Sequence, residues 1–412
     1  MNAAAPDKGH ARSMKDNVSS QCQRAAEAIA AADVLFLVTG AGFSADSGLA
    51  TYTDVARVRA YMELGLDYMD ICQPQWLYAD PALFYGFWGQ CYNDYRQTAP
   101  HEGYGTIARW KESITERRGD GEIATEIRRR IQEKAQADDD TIDGDRVPFL
   151  VESGTAGIFF SFTSNVDAHF YDTFPAHEIH ECHGNVELWQ CTDNRCSSGI
   201  WRAPLDHRFV VDPQTMMAPS DTSHIDQITS HRSSTDQEDG TSAPRIGHTA
   251  GIPQRLNLLR NMPPGLDTRG WLKPESGSEN WPRCGHCNAL ARPAILMFGD
   301  GDWKYDAAQE HRWNLWRESV LDLCQSLQMD TAKTLKVCVL EIGCGLNVPT
   351  GRYTAECMVS DVLQRGGHGM LIRINRDFPL CQDPDIPSSN VISILSTGLA
   401  ALQKIDEYLA EM

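Results

Sequence analysis

Four cysteines stand in two close pairs, Cys191-Thr-Asp-Asn-Arg-Cys196 and Cys284-Gly-His-Cys287. Thiolates at that spacing suit a closed tetrahedral zinc site, structural rather than catalytic. His286, between two of them, is the alternative ligand. His183 stands before a glycine. With an ordinary pKa near ~6.5, an imidazole can serve as a general base close to neutral pH. His169, His177 and His180 compete with it for that role. Cys182 is its neighbour, but adjacent residues of an extended chain face opposite sides, which argues against a thiol–imidazole pair. Upstream lies the polar run Thr163-Ser164-Asn165-Val166-Asp167, which could equally be an Asx turn. Near the start of the chain, Gly40-Ala41-Gly42-Phe43-Ser44-Ala45 fits G-x-G-x-x-A. Such a turn lets backbone N–H groups approach a pyrophosphate, although a glycine turn after a strand is also common without any ligand.

These groups are carried by elements with a clear period. The run Val34-Leu35-Phe36-Leu37-Val38 is short and wholly apolar, as a buried parallel strand is. The glycine turn follows it at once. Residues 157–162, 336–342 and 370–374 are further candidate strands, each ending at small or polar residues. Residues 21–32 are alanine-rich and read as a helix. In open α/β sheets ligands bind just beyond the strand ends. The class expected is therefore α/β, a Rossmann-like doubly wound parallel sheet with a smaller zinc-binding module. Residues 1–20 read as a disordered tail. Residues 21–182 and 301–412 read as two parts of the Rossmann-like domain, and 183–300 as the zinc module with a substrate strand. Two stretches read as inserts, 112–146 with a charged helix over 122–136, and 206–280, whose middle is too polar to bury a core.

The motifs together resemble the sirtuin family. Gly40-Ala41-Gly42-Phe43-Ser44-Ala45-Asp46-Ser47-Gly48-Leu49 is similar to its G-A-G-x-S-x-x-S-G-I, and Thr163–Asp167 to its T-Q-N-I-D with Ser164 for Gln. His183-Gly184 stands where the family has its catalytic His-Gly, ahead of the cysteine pairs. Ala291-Arg292-Pro293-Ala294-Ile295-Leu296-Met297-Phe298-Gly299-Asp300 resembles R-P-x-V-V-x-F-G-E. Gly343-Cys344-Gly345-Leu346-Asn347-Val348-Pro349 parallels G-T-S-L-x-V-x-P, and Ile374-Asn375-Arg376-Asp377 parallels I-N-x-E. The resemblance implies NAD as cosubstrate, with Gly40, Ala41, Gly42, Ser44, Tyr52, Thr53, Ser164, Asn165, Asp167, Gly343, Cys344, Gly345, Asn375 and Leu399 around it. It implies that Asn165 positions the ribose and a water, that Asp167 binds the carboxamide, and that His183 takes a proton from a ribose hydroxyl. It implies structural Zn2+ on Cys191, Cys196, Cys284 and Cys287, and an acyl-lysine peptide beside residues 291–300. The chain departs from the family at Ala50-Thr51-Tyr52-Thr53, where Pro-Asp-Phe-Arg is usual. Arg57 and Arg59 are candidates to replace that arginine. Cys344 and Gly345 replace two hydroxyl residues.

The resemblance implies NAD-dependent protein-lysine deacylation, with the acyl group passed to ADP-ribose. The alternatives are protein ADP-ribosyl transfer or NAD hydrolysis on the same fold, and an idle NAD-binding module. The composition agrees with an enzyme that does not touch nucleic acid. Over 412 residues the formal charge is −19, a field that repels phosphate backbones and acidic membranes and attracts a basic peptide. No apolar run approaches the ~20 residues of a membrane span, and the first residues lack the apolar middle of a secretory signal. The 13 cysteines are odd in number and scattered, unlike a disulfide scaffold. An intracellular protein, cytoplasmic or nuclear, is expected.

Overall fold

The computed structural model describes residues 8–51, 54, 58–117, 122–139, 154–204, 207–222, 279–331 and 333–412. Six strands form one sheet: β1 (Val34–Thr39), β2 (Phe159–Thr163), β3 (Ile179–Glu181), and, after three strands elsewhere, β7 (Lys336–Ile342), β8 (His368–Ile374) and β9 (Val391–Ile394). All pairings are parallel and the order is β3-β2-β1-β7-β8-β9. The expected doubly wound sheet is what forms.

Its wholly apolar strands are explained by burial on both faces. Along β1, Leu35 and Leu37 point to one core, while Val34, Phe36 and Val38 point to the other. β7 alternates likewise, with Cys338, Leu340 and Ile342 on the first side and Val337 and Val339 on the second. The first face is covered by α1 (Lys8–Ala31), by a helix over Gly103–Arg117 and by the last helix, Gly398–Ala410. Cys22, Ala25, Ala26 and Ile29 of α1 follow helical spacing and are buried. The second face is covered by the helices Glu122–Asp139, Ala307–Thr331 and Thr350–Gln364.

Two sequence expectations are corrected here. The first helix begins at Lys8 rather than near residue 21, so much of the stretch read as a tail is helical; Val18 packs on the core and Ser19 hydrogen-bonds Tyr408 at 2.6 Å. The stretch 112–146, expected to be an insert with a charged helix over 122–136, supplies part of the core: its helix runs Glu122–Asp139. It buries Ala124, Ile127 and Ile131 on the sheet cores while its arginines pair with glutamates outside.

The smaller module is a three-stranded antiparallel sheet, β5-β4-β6, from β4 (Gly184–Cys191), β5 (Ile200–Arg202) and β6 (Ala291–Ile295). In the 291–300 stretch, expected to be a strand and loop, the strand is Ala291–Ile295 and the residues beyond it form the loop. A long helix, Pro81–Gln97, packs on this sheet. Asp80 caps it by accepting from the Leu83 amide at 3.1 Å, Pro81 occupies its first turn, and Arg96 pairs with Glu187 of β4. The flanks of the 206–280 stretch are part of the module: Phe209 and Ala218 are buried, and Asn280 ties to Val210 and Pro219. The middle of that stretch lies outside the described residues. Among the described residues no helix is long and apolar enough to cross a membrane.

Candidate active site

The strand order reverses between β1 and β7, and ligand sites in such sheets lie at that switch point. Two glycine loops meet there. A Cβ on Gly40 would lie 2.8 Å from Cys344 Cα, and one on Gly42 2.8 Å from Gly343 Cα. The loops can approach only because neither carries a side chain. The Gly40 and Gly42 amides donate to the carbonyls of Ile342 and Gly343, both at 3.0 Å. These two amides therefore join the loops instead of facing a phosphate. The Ala41 amide, at the start of the one-turn helix Ala41–Ser44, has no acceptor among the described residues.

Ser44 then joins the first motif to the second. Its hydroxyl donates to Asp167 Oδ2 and accepts from Asn165 Nδ2 at 2.9 Å. Because the hydroxyl proton is committed to the carboxylate, its oxygen must be the acceptor. That fixes which way the Asn165 amide points. Asn165 Oδ1 is left buried with no partner among the described residues. A buried acceptor without a donor costs about 1–3 kcal/mol, so it is a place for a water or a ligand hydroxyl. The second oxygen of Asp167 accepts from the His169 amide at 2.9 Å. Ser164 contributes backbone: its amide and hydroxyl both bond the Thr39 carbonyl.

His183 arrives from the turn between β3 and β4. The Cys182 amide donates to Thr163 O and the His183 carbonyl accepts from Leu296 N, at 3.0 and 2.9 Å, which pins the turn on both sides. Gly184 is obligatory: its φ is +70°, and a Cβ would lie 1.9 Å from the Ala294 carbonyl oxygen. Burial lowers the His183 pKa below the usual 6.5, and a backbone hydrogen bond to Ser164 partly offsets this. Burial thus favours the neutral imidazole, the form a general base needs. Cys182 and Gly184 line a separate cavity behind the turn. Burial pushes the Cys182 thiol far up, which removes it as a nucleophile. His169, His177 and His180 do not line the His183 cavity.

Glu181, two residues before His183, holds this turn. It is 5% exposed and accepts from Tyr171 Oη at 3.2 Å and from Asn185 Nδ2, while Gln309 Oε1 takes its backbone amide at 2.9 Å. Burial, with Asp167 and Asp306 nearby, raises its pKa to about 8.

Ala41, Ser44, Ser164, Asn165, Asp167 and His183 all line one cavity of about 600 Å³. The discontinuous motifs converge. The remaining wall was not legible as a motif: Tyr68 and Cys72 come from a short helical stretch, and Phe87, Trp88, Cys91 and Tyr95 from one face of the Pro81–Gln97 helix. The i, i+4, i+8 spacing of Phe87, Cys91 and Tyr95, with Trp88 next to Phe87, was the available signal. Met297, Phe298 and Asp300 also line the cavity, with the Phe298 amide bonded to the Cys72 carbonyl at 3.0 Å. The Asp300 carboxylate is spent on a buried two-pronged pair with Arg292, at 2.7 and 2.8 Å.

Other expected cofactor residues are used differently. The Cys344 side chain is buried in the second core, so at most its backbone can face a ligand. Asn375 spends its oxygen on the Asp377 and Phe378 amides and its nitrogen on Cys344 O, shaping these loops from within. The Leu399 amide is held by Asp46 at 2.6 Å. Gly343 and Gly345 stand at the switch point beside these groups. Tyr52, Thr53 and Arg57 lie outside the described residues, and Arg59 pairs with Glu63 on the surface.

The four cysteines gather at the end of the small sheet. All four sulfurs lie within 4.8 Å of one another, with Cys191–Cys287 at 3.4 Å and Cys196–Cys284 at 3.8 Å. Zinc–thiolate bonds of ~2.3 Å in a tetrahedron place sulfurs roughly 3.8 Å apart, so the quartet fits Zn2+. His286 is outside the quartet, exposed, with Nε2 3.5 Å from Ser197 Oγ.

Solved sirtuin structures are similar to this chain along almost its whole length. A Sir2 homologue in complex with NAD shares 14% identity over 94% of each chain, with a TM-score of 0.48. A Sir2–p53 peptide–NAD+ structure shares 15% over 94% of this chain and 97% of that one, at 0.45. Sir2Tm bound to a propionylated peptide shares 15% over 93% and 97%, at 0.44. No protein-family model and no curated protein matches the chain. At such identities and scores these are likenesses of outline, and the site stands on its own geometry.

Proposed function

We propose that the protein is an NAD-dependent protein-lysine deacylase of the sirtuin type. The observation that carries this is the convergence of Ser44, Asn165, Asp167 and His183 on a single cavity at the switch point. NAD, when bound, supplies a ribose–nicotinamide bond whose cleavage leaves an electrophilic sugar carbon. Asp167, held by Ser44, is placed to take the carboxamide N–H groups. Asn165 Oδ1, already desolvated and without a donor, is set to hold a ribose hydroxyl or a water. Both are fixed before the reaction, so they stabilise developing positive charge without reorganising. His183, whose pKa burial lowers, would be the group to take the proton of a ribose hydroxyl when NAD and an acyl-lysine are bound. The cysteine quartet, none of which lines this cavity, would hold Zn2+ as a staple of the small sheet.

The described lining contains no lysine or arginine. The phosphates then fall to backbone donors such as the Ala41 amide. A second reading keeps NAD and lets a water or a protein side chain accept the ADP-ribose. The test is mass spectrometry of products from NAD and an acetyl- or butyryl-lysine peptide. Nicotinamide, free lysine and O-acyl-ADP-ribose are expected, with turnover to free lysine and O-acyl-ADP-ribose lost in His183→Ala. Free ADP-ribose or labelled protein without deacylation selects the second reading, and no release of nicotinamide under any condition defeats both.

A further inference from the structure

Two arginines and two glutamates cluster behind the loops that follow β7 and β8, and none of the four lines the His183 cavity. Glu341 and Arg373 stand opposite each other in these adjacent strands, each between apolar neighbours, and both are wholly buried. Arg373 Nε and Nη2 donate to Glu341 Oε2 at 2.8 and 2.6 Å, and its Nη1 donates to Glu356 Oε1 at 2.8 Å. Arg352, buried near the start of the helix Thr350–Gln364, lies 3.8 Å from the other Glu341 oxygen. An apolar pair could fill the strands as well, since exchanging a buried ion pair for hydrophobic residues is often neutral or stabilising. What the arginines add is their reach into the loops. Arg352 Nη1 donates to Phe378 O at 2.9 Å and, at a longer 3.5 Å, to Cys344 O, while its Nη2 donates to Leu380 O at 2.9 Å. Arg373 Nη1 donates to the same Leu380 carbonyl at 2.8 Å, and Glu356 Oε1 accepts from the Gln382 amide at 2.9 Å. Phe378 and Leu380 are themselves exposed, so burial of their side chains does not hold this segment.

We infer that Arg352 and Arg373 are positioning residues for the dinucleotide: by pinning the backbone of the loops after β7 and β8, they set cofactor affinity and leave the chemical step alone. The inference rests on the NAD reading. The pinned segments belong to the switch point. Gly343 lies against Gly42, and the Cys344 carbonyl that Arg352 approaches also accepts from Asn375 Nδ2 at 2.8 Å. Asn375 in turn holds the Asp377 and Phe378 amides, so one connected set of bonds fixes both loops. A ligand that fits only the held shape binds in proportion to the fraction of molecules that have it. If loss of the Arg352 donors leaves that shape populated about one-tenth of the time, the apparent Kd rises about 10-fold. Asn165, Asp167 and His183 follow β2 and β3, on the other side of β1, and share no hydrogen bond with this cluster among the described residues.

The experiment pairs steady-state nicotinamide release with calorimetric titration of ADP-ribose, both on the full chain. In Arg352→Met, which keeps the apolar stem and drops the donors, KM for NAD and Kd for ADP-ribose should rise about 10-fold, with kcat within about two-fold of wild type. Arg352→Lys keeps the charge beside Glu341 but cannot span the same carbonyls, and should lie between the two. A merely structural role would lower the folded fraction instead: kcat and the binding stoichiometry would fall together at unchanged KM and Kd, and that result overturns the inference. Unchanged KM and Kd in a fully active variant overturn it too. If thermal unfolding shows that Arg352→Met does not fold, Arg352→Lys decides by the same criteria. A wild-type chain that binds neither ADP-ribose nor NAD defeats the NAD reading itself, whereas the variant results bear on the inference alone.

Discussion

Replacing Glu181 by Gln tests the buried network behind the His183 turn, and its effect on stability can be worked out with sign. The folded-state pKa is about 8, against 4.5 for the ordinary group, and burial is the main cause. A folded pKa above the unfolded one means that the native state binds the proton more tightly. The resulting stability is fully present below the unfolded pKa and is lost as pH rises towards 8. At ~1.36 kcal/mol per unit, the loss between pH 5 and pH 8 is on the order of 3 kcal/mol. A glutamine side chain in that place is uncharged throughout and does not titrate, so the variant should lack this component. Urea unfolding of both proteins at pH 5, 6, 7 and 8 measures it: the wild type should lose on the order of 3 kcal/mol relative to Glu181→Gln across that range. Near pH 7 the wild-type carboxyl is mostly protonated and nearly isosteric with an amide. Nicotinamide release should therefore survive Glu181→Gln at that pH, while Glu181→Ala, which removes an acceptor from both Asn185 and Tyr171, should impair it. Parallel stability profiles for wild type and Glu181→Gln would refute the reasoning.

Three further outcomes follow from the same geometry. Ser44→Ala removes the hydroxyl that orients both Asp167 and Asn165, so nicotinamide release should fall about 10- to 100-fold, at a stability cost near ~1 kcal/mol, as steady-state kinetics and urea unfolding would show. Gly184→Ala must place a methyl against the Ala294 carbonyl from a left-handed backbone; a stability loss of about 2–4 kcal/mol with loss of nicotinamide release is expected, measured by the same pair of assays. The pH profile of kcat/KM should have its acid limb below the ordinary histidine value, because burial lowers the His183 pKa and the base works only when neutral; a limb above that value would contradict the assignment.

What could be read from the chain alone depended on local pattern. The apolar runs of β1 and β7 announced strands buried on both faces, and that forecast the doubly wound sheet. The cysteine spacing announced a knuckle, because tetrahedral coordination restricts which residues can ligate. The glycine turn could be read as a strand-to-helix turn, whereas the Asn165–Asp167 run and His183-Gly184 stood out through their resemblance to the motifs of a family. What those residues do for one another was not legible. The sequence could not say that Gly40 and Gly42 spend their amides on the 342–343 segment, that the Cys344 side chain enters a core, or that Asn375 braces its own loop. Nor did it identify Phe87, Trp88, Cys91 and Tyr95 as cavity wall, since a helical apolar stripe has the same spacing whether it faces a core or a ligand. Sequence specifies period and local conformation. Only the tertiary structure decides which of two buried faces meets a neighbouring element and which meets an open space, because that depends on residues more than a hundred positions away.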